Sequence, residues 1–268
     1  MKVALIGASG NGGSRLLAEL SRRGHQVTAI ARRPETIAKL AGVTAQKGDV
    51  FDKPGLVQLL TGHDAVISAV HFTASDPKLL VEAVKEAGVK RYFVVGGAAS
   101  LEVAPGVKLI DTPQFPAAYK AEAAKGGEFL ELLRKDKELD WTFLSPSAVI
   151  APGERTGKFR LGKDQLLTHD KGSNISWEDY ASPPSMNSRC QFTSASGSQS
   201  GTDAGAGQGR APALGSYALE DAARSPPCPL RSRFSLRRAV HFGRRRHSHR
   251  QARLWEPGDA RECDARPA

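Results

Sequence analysis

Three glycines, each separated by two residues, follow a short apolar run near the start of the chain: Gly7, Gly10 and Gly13. Gly7 would let the backbone leave a strand sharply, Gly10 would let it approach a ligand, and Gly13 would let the next helix pack against the strand. The free N–H groups and the positive dipole at the start of that helix bind anions. The spacing therefore predicts a phosphate cradle made of Gly7, Ser9, Gly10, Asn11, Gly12 and Gly13.

The residues around this turn have the pattern of a strand, a helix and a second strand. Lys2–Ile6 is a continuous apolar strand, and Leu16, Leu17 and Leu20 then lie on one face of a helix that ends near Gly24. Gln26–Ala31 forms the second strand, which completes a unit of about 30 residues. Such a unit is typical of dinucleotide binding, and the alternative is a turn whose glycines serve packing alone.

Arg32 and Arg33 come directly after the second strand. Proteins that bind NAD usually carry an acidic residue there, which binds the ribose hydroxyls. Two arginines suit the 2′-phosphate of NADP(H), because that group accepts charge-assisted hydrogen bonds. The pair predicts a preference for NADP(H), and the alternative is two solvated surface charges.

Strand and helix patterns continue to alternate as far as about residue 145. The further strands are predicted at Thr44–Val50, Ala65–Val70, Arg91–Val95 and Trp141–Leu144, and the helices at Pro54–Leu60, Pro77–Ala87 and Ala118–Lys135. This alternation predicts an α/β fold, a Rossmann-like doubly wound parallel sheet in a single domain over residues 1–181.

Small residues follow four of the predicted strands, at Gly48-Asp49-Val50, Ser68-Ala69-Val70, Gly96-Gly97-Ala98 and Ser145-Pro146-Ser147. Each segment alone is typical of an ordinary turn. The carboxyl ends of parallel strands share one edge of the sheet, where ligands bind. Together with the first turn, the four segments favour an extended ligand beside the backbone.

Charge and cysteine content narrow the class of protein. The net charge of +10 is carried mainly by the last 87 residues, since residues 1–181 hold 24 basic and 21 acidic side chains. We therefore expect no specific nucleic-acid partner.

The first 181 residues contain no cysteine, which fits a reducing cytoplasm. No apolar run is long enough to span a membrane and no signal peptide is evident, so we expect no membrane partner. The histidines show no metal-ligand spacing there, and we expect no metal site.

These motifs together resemble the atypical short-chain dehydrogenase/reductases, and most closely the NAD(P)H-binding NADH-flavin reductase group that includes proteins like biliverdin reductase B. The resemblance covers residues 1–181. It rests on the Gly7–Gly13 turn, Gly48-Asp49-Val50-Phe51-Asp52, Val94-Val95-Gly96-Gly97-Ala98, Asp140-Trp141-Thr142-Phe143-Leu144-Ser145-Pro146 and Pro152-Gly153-Glu154-Arg155-Thr156-Gly157.

The resemblance implies roles for residues at the strand ends. Asp49 would bond the adenine amino group, Ala69 and Val70 would line the adenosine, and Gly97 and Ala98 would lie on the nicotinamide side. Val50, Ser145 and Pro146 would complete the cofactor contacts.

The catalytic Tyr-x-x-x-Lys pair of the wider superfamily is absent as spaced. Tyr119 is followed four residues later by Ala123, and Lys120 lies about 100° away around a helix. Alcohol dehydrogenation is therefore disfavoured, whereas hydride transfer to a conjugated acceptor needs less from the protein. Tyr119 and Lys120 remain the candidate catalytic residues, and the alternative is a helix-start pair in solvent. His71 lies just past the fourth strand, at the ligand edge.

The composition changes after Ala181. Residues 182–268 contain no lysine and no isoleucine, hold all three cysteines and show no apolar periodicity. One interpretation is a basic arm for nucleic acid or a membrane surface. The other is a shifted reading frame, with residues 182–268 as a disordered tail unlike the family.

The genetic code permits that frameshift. Codons built from the third base of one codon and the first two of the next allow V-A-A-V-D-E-L from Ala181, with the glutamate forced by Met186-Asn187. From Ser196 to Asp203 they allow R-F-T-V-G-Y and a stop. The family resemblance implies a final helix with D-E-L and a last strand like R-F-T-V-G-Y. Loss of two core-facing elements would destabilise the domain by several kcal/mol, comparable with its whole stability of about 5–15 kcal/mol. The nucleotide sequence around codon 181 decides between the two interpretations.

Three functions remain open from the sequence. The first is NAD(P)H-dependent reduction of a small conjugated acceptor such as a flavin or quinone, by a monomer or homodimer. The second is a non-catalytic NADP(H) redox sensor with the same fold. The third, an epimerase or dehydratase, ranks last because that chemistry requires the missing tyrosine–lysine pair and a larger C-terminal domain.

Overall fold

The computed structural model describes residues 1–182 and 190–196. The strands are β1 Lys2–Ile6, β2 Gln26–Ala31, β3 Val43–Lys47, β4 Ala65–Ser68, β5 Arg91–Val95, β6 Glu102–Ala104, β7 Val107–Lys108, β8 Asp140–Ser145, β9 Val149–Ala151, β10 Phe159–Gly162, β11 Asn174–Ser176 and β12 Cys190–Ser196. The helices are α1 Asn11–Arg22, α2 Lys53–Leu60, α3 Pro77–Glu86, α4 Lys120–Lys135 and α5 Trp177–Tyr180.

Six parallel strands in the order β3-β2-β1-β4-β5-β8 form most of the main sheet. β1 pairs with β2 on one side and with β4 on the other, which places the topological switch point at the end of β1. The predicted Rossmann-like parallel sheet is therefore confirmed. β6–β7 and β9–β11 form two separate two-stranded sheets.

Apolar side chains cover both faces of the sheet, because successive strand residues point to opposite sides. In β1, Ala4 and Ile6 join the cluster that packs under α2, α3 and α4, whereas Val3 and Leu5 join the cluster that packs under α1 and α5. All four side chains are almost fully buried. Helices on both faces are what a doubly wound sheet requires.

The predicted elements agree with the structure in order and type. β5 has the predicted bounds, whereas β3 ends at Lys47 and β4 at Ser68, before the small residues that the prediction included. The short strands β9, β10 and β11 were not predicted. They have three or four residues each, so they lack the long apolar run that marks a core strand.

Strand β12 corrects the expectation that residues 182–268 lie entirely outside the fold. It pairs in parallel with β8, with Cys190 opposite Thr142 and Thr193 opposite Ser145, and in antiparallel with β10. An open sheet edge offers unpaired N–H and C=O groups, so an extended segment can pair there through its backbone. The proposed boundary at residue 181 remains a prediction. The predicted disorder of the rest of the tail concerns residues outside the described part of the chain.

Glu19 is an acidic residue on the buried face of α1. Its side chain is only 8% exposed, and one carboxylate accepts hydrogen bonds from Arg22 at 2.7 Å, Arg23 at 2.7 Å and Arg155 at 3.2 Å. The bonds from Arg22, Arg23 and Arg155 outweigh the effect of burial and lower the pKa of Glu19 to about 2. Arg23 also donates to the carbonyl of Ser182 at 2.8 Å. The cluster thus ties α1 to two distant segments.

Glu19→Gln should lower the free energy of unfolding at pH 7 by about 2 kcal/mol, because the three arginines lose their buried counter-charge. Since the pKa of Glu19 in the folded protein lies below its ordinary value of 4.5, the contribution of Glu19 is complete above that value and is lost as the pH falls towards 2. Urea unfolding should therefore show the wild type and the variant converging between pH 4.5 and pH 2.

Glu131→Gln is the matched control, because Glu131 pairs with Arg134 at 2.9 Å on an exposed part of α4. That change should cost less than about 0.5 kcal/mol. Equal losses for the two variants at pH 7 would contradict a stabilising role for the Glu19 cluster.

Candidate functional site

The turn between β1 and α1 is tight at two of its glycines. Gly7 has a φ of +80°, and a Cβ atom placed on it would lie 2.5 Å from the carbonyl oxygen of Ala69. A Cβ atom on Gly13 would lie 2.1 Å from the carbonyl oxygen of Gly7. Both positions therefore require glycine, Gly7 for its backbone conformation and Gly13 for the close approach of helix and strand. The structural roles predicted for these two residues are confirmed.

The N-terminus of α1 is left without a side-chain cap. Gly10 occupies the cap position, and the first turn holds no acidic residue. By contrast, Asp52 accepts from Gly55 N at 3.2 Å at the start of α2, and Asp76 accepts from Lys78 N at 2.8 Å at the start of α3. Among the five helices of the described residues, only α1 begins with neither a capping side chain nor an acidic first turn.

This arrangement fits the pyrophosphate of a dinucleotide. Ser9, Gly10 and Asn11 are exposed, and no acidic side chain of the described residues caps the positive end of α1 at the carboxyl edge of the sheet. A pyrophosphate there would supply the missing negative charge and accept from the free backbone N–H groups. The predicted contacts of Ser9, Gly10, Asn11 and Gly12 remain predictions.

Arg32 and Arg33 follow β2 at the same edge, and both are exposed. Among the described residues, 1–182 and 190–196, no carboxylate pairs with either guanidinium. β2 is the strand beside β1, with Ile30 opposite Ile6, so Arg32 follows Ile30 by two residues just as Ala8 of the glycine turn follows Ile6. The predicted contact of both arginines with a 2′-phosphate stays a prediction.

The other predicted cofactor residues lie at neighbouring strand ends. Asp49 and Val50 follow β3, and the Asp49 carboxylate accepts from Phe51 N at 3.0 Å, which shapes its own turn. Ala69 follows β4 and donates its N–H to Ile6 O at 2.9 Å. Because its carbonyl lies beside Gly7, Ala69 forms a wall of the glycine turn. Val70 is half-buried next to it.

The ends of β5 and β8 are joined through one carbonyl. Leu144 O accepts from Gly96 N at 2.7 Å and from the hydroxyl of the fully buried Tyr180 at 2.6 Å. Burial raises the pKa of the Tyr180 hydroxyl, which keeps it protonated as a donor. Gly97 and Ala98 lie half-buried after this junction.

Ser145 and Pro146 are buried, so they form the floor of the edge instead of presenting polar groups to it. Their predicted cofactor contacts stay predictions.

The candidate catalytic residues stand at the start of α4. Tyr119 is 46% exposed and ends a single 3₁₀ turn, and Lys120 is the exposed first residue of the helix. Neither side chain is hydrogen-bonded to another described residue. The structure thus places both at a helix start, as predicted, and leaves their catalytic role a prediction.

The sequence did not predict the part that α5 has in this site. A Cβ atom on Gly12 would lie 2.9 Å from Cζ3 of Trp177, so Gly12 makes room for the indole ring. Glu178 accepts from Arg15 of α1 at 3.2 Å and from Gly153 N at 2.9 Å. One local signal was readable: Ser176 and Asp179 have the spacing of a helix cap, and Ser176 Oγ accepts from Asp179 N at 3.0 Å.

The loop Pro152–Gly157 is fixed by the same short helix. Asp179 accepts from the hydroxyl of Thr156 at 2.6 Å and from Gly157 N at 2.8 Å. Arg155 reaches Glu19 on α1. The loop that carried one of the five resemblance motifs therefore braces α1 and α5 against each other beside the glycine turn.

Within the described part of the chain, none of the helices combines the length and the apolar character that a membrane span needs.

Comparisons with known proteins agree with this geometry. Residues 7–182 match the NAD(P)H-binding family. A solved structure from Burkholderia pseudomallei named "putative exported protein" is 44% identical, with a TM-score of 0.65 over 73% of this chain and 99% of that one. A "putative epimerase" from Bacteroides thetaiotaomicron is 39% identical, with a TM-score of 0.68 over 75% of this chain and 99% of that one.

A third similar structure is a "putative NADH-flavin reductase" from Streptococcus pneumoniae. It is 32% identical, with a TM-score of 0.59 over 74% of this chain and 100% of that one. The family match begins at Gly7 and ends at Ser182, and so spans the glycine turn, the four strand ends and α5. The chain belongs to the NAD(P)H-binding family.

Proposed function

We propose that this protein is an NADPH-dependent reductase that transfers hydride to a small conjugated acceptor such as a flavin or a quinone. The observation that carries the proposal is the uncapped, positively polarised start of α1 beside the carboxyl ends of the neighbouring parallel strands. A dinucleotide held there would lie along the edge, with its nicotinamide near the ends of β5 and β8.

The chain's own residues would bind and orient the cofactor, which supplies the hydride when bound. The glycine turn and the start of α1 would hold the pyrophosphate, while Gly97 and Ala98 would lie against the nicotinamide. A conjugated acceptor suits this site because it takes up hydride directly and can obtain its proton from a simple donor. The relative from Streptococcus pneumoniae, whose name states a flavin reductase, supports the same class of acceptor.

The preference for NADPH is supported by Arg32 and Arg33. Both are exposed, and within the described part of the chain neither is paired with an acid, so a 2′-phosphate could take both as partners. An NAD site would place a carboxylate at this position. The contact remains a proposal, as does the cofactor preference.

A non-catalytic NADP(H) sensor is the second candidate. The missing Tyr-x-x-x-Lys pair favours it, because binding alone needs the glycine turn and no proton donor. An epimerase, the name of the Bacteroides thetaiotaomicron relative, ranks third because such chemistry requires that pair.

We further propose a cytoplasmic location, which the absence of cysteine from residues 1–181 supports. A monomer or homodimer is the proposed oligomeric state.

Replacement of both arginines tests the cofactor preference. Arg32→Ala with Arg33→Ala should weaken NADPH binding about 10-fold to 100-fold through loss of the charge-assisted bonds, and should change NADH binding less than about 3-fold. Dissociation constants for both cofactors measure this, with Lys39→Ala as the control cation on the same exposed segment. Equal losses for NADPH and NADH would show that the arginines do not recognise the 2′-phosphate.

Stopped-flow oxidation of NADPH tests the reductase assignment. We expect turnover with free flavins and quinones and none with simple aliphatic ketones, because only the conjugated acceptors can take hydride without a strong protein acid. Tight binding of NADPH without oxidation by any acceptor would contradict the reductase and favour the sensor.

A further inference from the structure

His71 lies in the turn that follows β4, at the ligand edge of the sheet. Its ring is 85% exposed, and Nδ1 lies 3.3 Å from Oε1 of Glu122. Glu122 belongs to the first turn of α4, three residues after Tyr119. A carboxylate thus lies within ion-pair distance of one ring nitrogen, while the exposure of the ring leaves Nε2 accessible.

The Glu122 carboxylate is itself held rigidly. Oε1 accepts from Phe72 N at 2.7 Å, and Oε2 accepts from Thr73 N at 2.9 Å and from Thr73 Oγ1 at 2.6 Å. Burial raises the pKa of Glu122, but the bonds from Thr73 and Phe72 and the nearby His71 outweigh it, so the pKa lies below its ordinary value. An ionised, immobile carboxylate orients an imidazole by accepting from Nδ1–H.

The turn is packed against the place where the nicotinamide end would lie. Phe72, the residue after His71, is buried with its ring centroid 6.0 Å from that of Phe129 on α4 and 6.0 Å from that of Phe143 on β8. Its ring also lies 3.8 Å from the position of a Cβ atom on Gly97. The buried Phe72 therefore fixes His71 between the end of β5 and the start of α4.

We propose that His71, oriented by Glu122, is the catalytic acid that protonates the reduced acceptor. This inference rests on the proposed reductase function. For a quinone, two electrons and one hydrogen pass from the reduced nicotinamide to the acceptor, which becomes a hydroquinone anion. The anion oxygen then takes the proton of His71 Nε2, so an O–H bond forms as the N–H bond breaks. Water returns a proton to the imidazole, and NADP⁺ and hydroquinone are the products.

Other charged groups near this turn have separate partners or lie at the helix start. On α4, Lys125 bonds Glu128 at 2.7 Å, whereas Tyr119 and Lys120 are exposed at its first residues. Asp76, at the end of the turn, caps α3. Glu122 is the acidic group that contacts the His71 ring within the described residues.

His71→Asn, Glu122→Gln and the control His25→Asn test the inference. His25 precedes β2 and so lies at the opposite edge of the parallel sheet. All three variants should bind NADPH within about 2-fold of wild type. The kcat for quinone reduction should fall about 100-fold in His71→Asn, less in Glu122→Gln and not at all in His25→Asn, because general acids contribute 10²–10⁴-fold.

Two further readouts separate catalysis from structure. In wild type, kcat should fall as rising pH removes the proton of the catalytic acid, and that limb of the profile should vanish in His71→Asn. In the NADP⁺ complex, the NMR signal of the His71 ring should shift when a quinone is added, while that of His25 stays unchanged.

The outcomes are distinguishable. If wild type reduces quinone and His71→Asn keeps the wild-type kcat and pH profile, or the His71 signal does not respond to quinone, this inference alone is overturned. If wild type reduces no acceptor, the proposed function fails and this inference fails with it. Loss of NADPH binding in His71→Asn or Glu122→Gln would also overturn it, since the residues would then support the fold or the cofactor.

Discussion

The uncapped start of α1 is the feature on which the rest of this structure depends. The helix begins at Asn11, directly after a turn whose geometry needs glycine at Gly7 and at Gly13. Most helices satisfy their first N–H groups with a side chain, as Asp52 and Asp76 do here. A helix that omits this cap gives up local stability and gains a site for an anion. Packing elsewhere on the helix compensates for the lost local stability.

That packing comes from charged groups at the far end and along the side of α1. The buried Glu19 pairs with three partly exposed arginines, and one of them, Arg155, belongs to the loop Pro152–Gly157. Glu178 accepts further hydrogen bonds from Arg15 of α1 and from the backbone of the same loop. These bonds fix the direction of the helix, and none of them caps its N-terminus. The start of α1 can therefore stay open while the helix is held in place.

The features that could be predicted from the sequence are those encoded by the pattern of neighbouring residues. Apolar runs gave the parallel strands, and glycine spacing gave the turn, because both depend on neighbouring residues. The sequence did not predict pairs that lie far apart in the chain. Glu19 and Arg155 are 136 residues apart, and His71 and Glu122 are 51 apart. Trp177 over Gly12 was missed for the same reason. Strand β12 was missed because it pairs through its backbone, which carries no side-chain signature.

The central claim is that the bare N-terminus of α1 holds the pyrophosphate, and Gly10→Asp tests it most directly. Gly10 has φ −77° and ψ 173°, which any residue adopts, and aspartate is a good N-cap, so the helix should be at least as stable. Its carboxylate would occupy and neutralise the anion site. We predict that Gly10→Asp weakens NADPH binding at least about 10-fold more than the neutral isostere Gly10→Asn, with no loss of thermal stability in either. Equal NADPH affinity in wild type and Gly10→Asp would contradict the account.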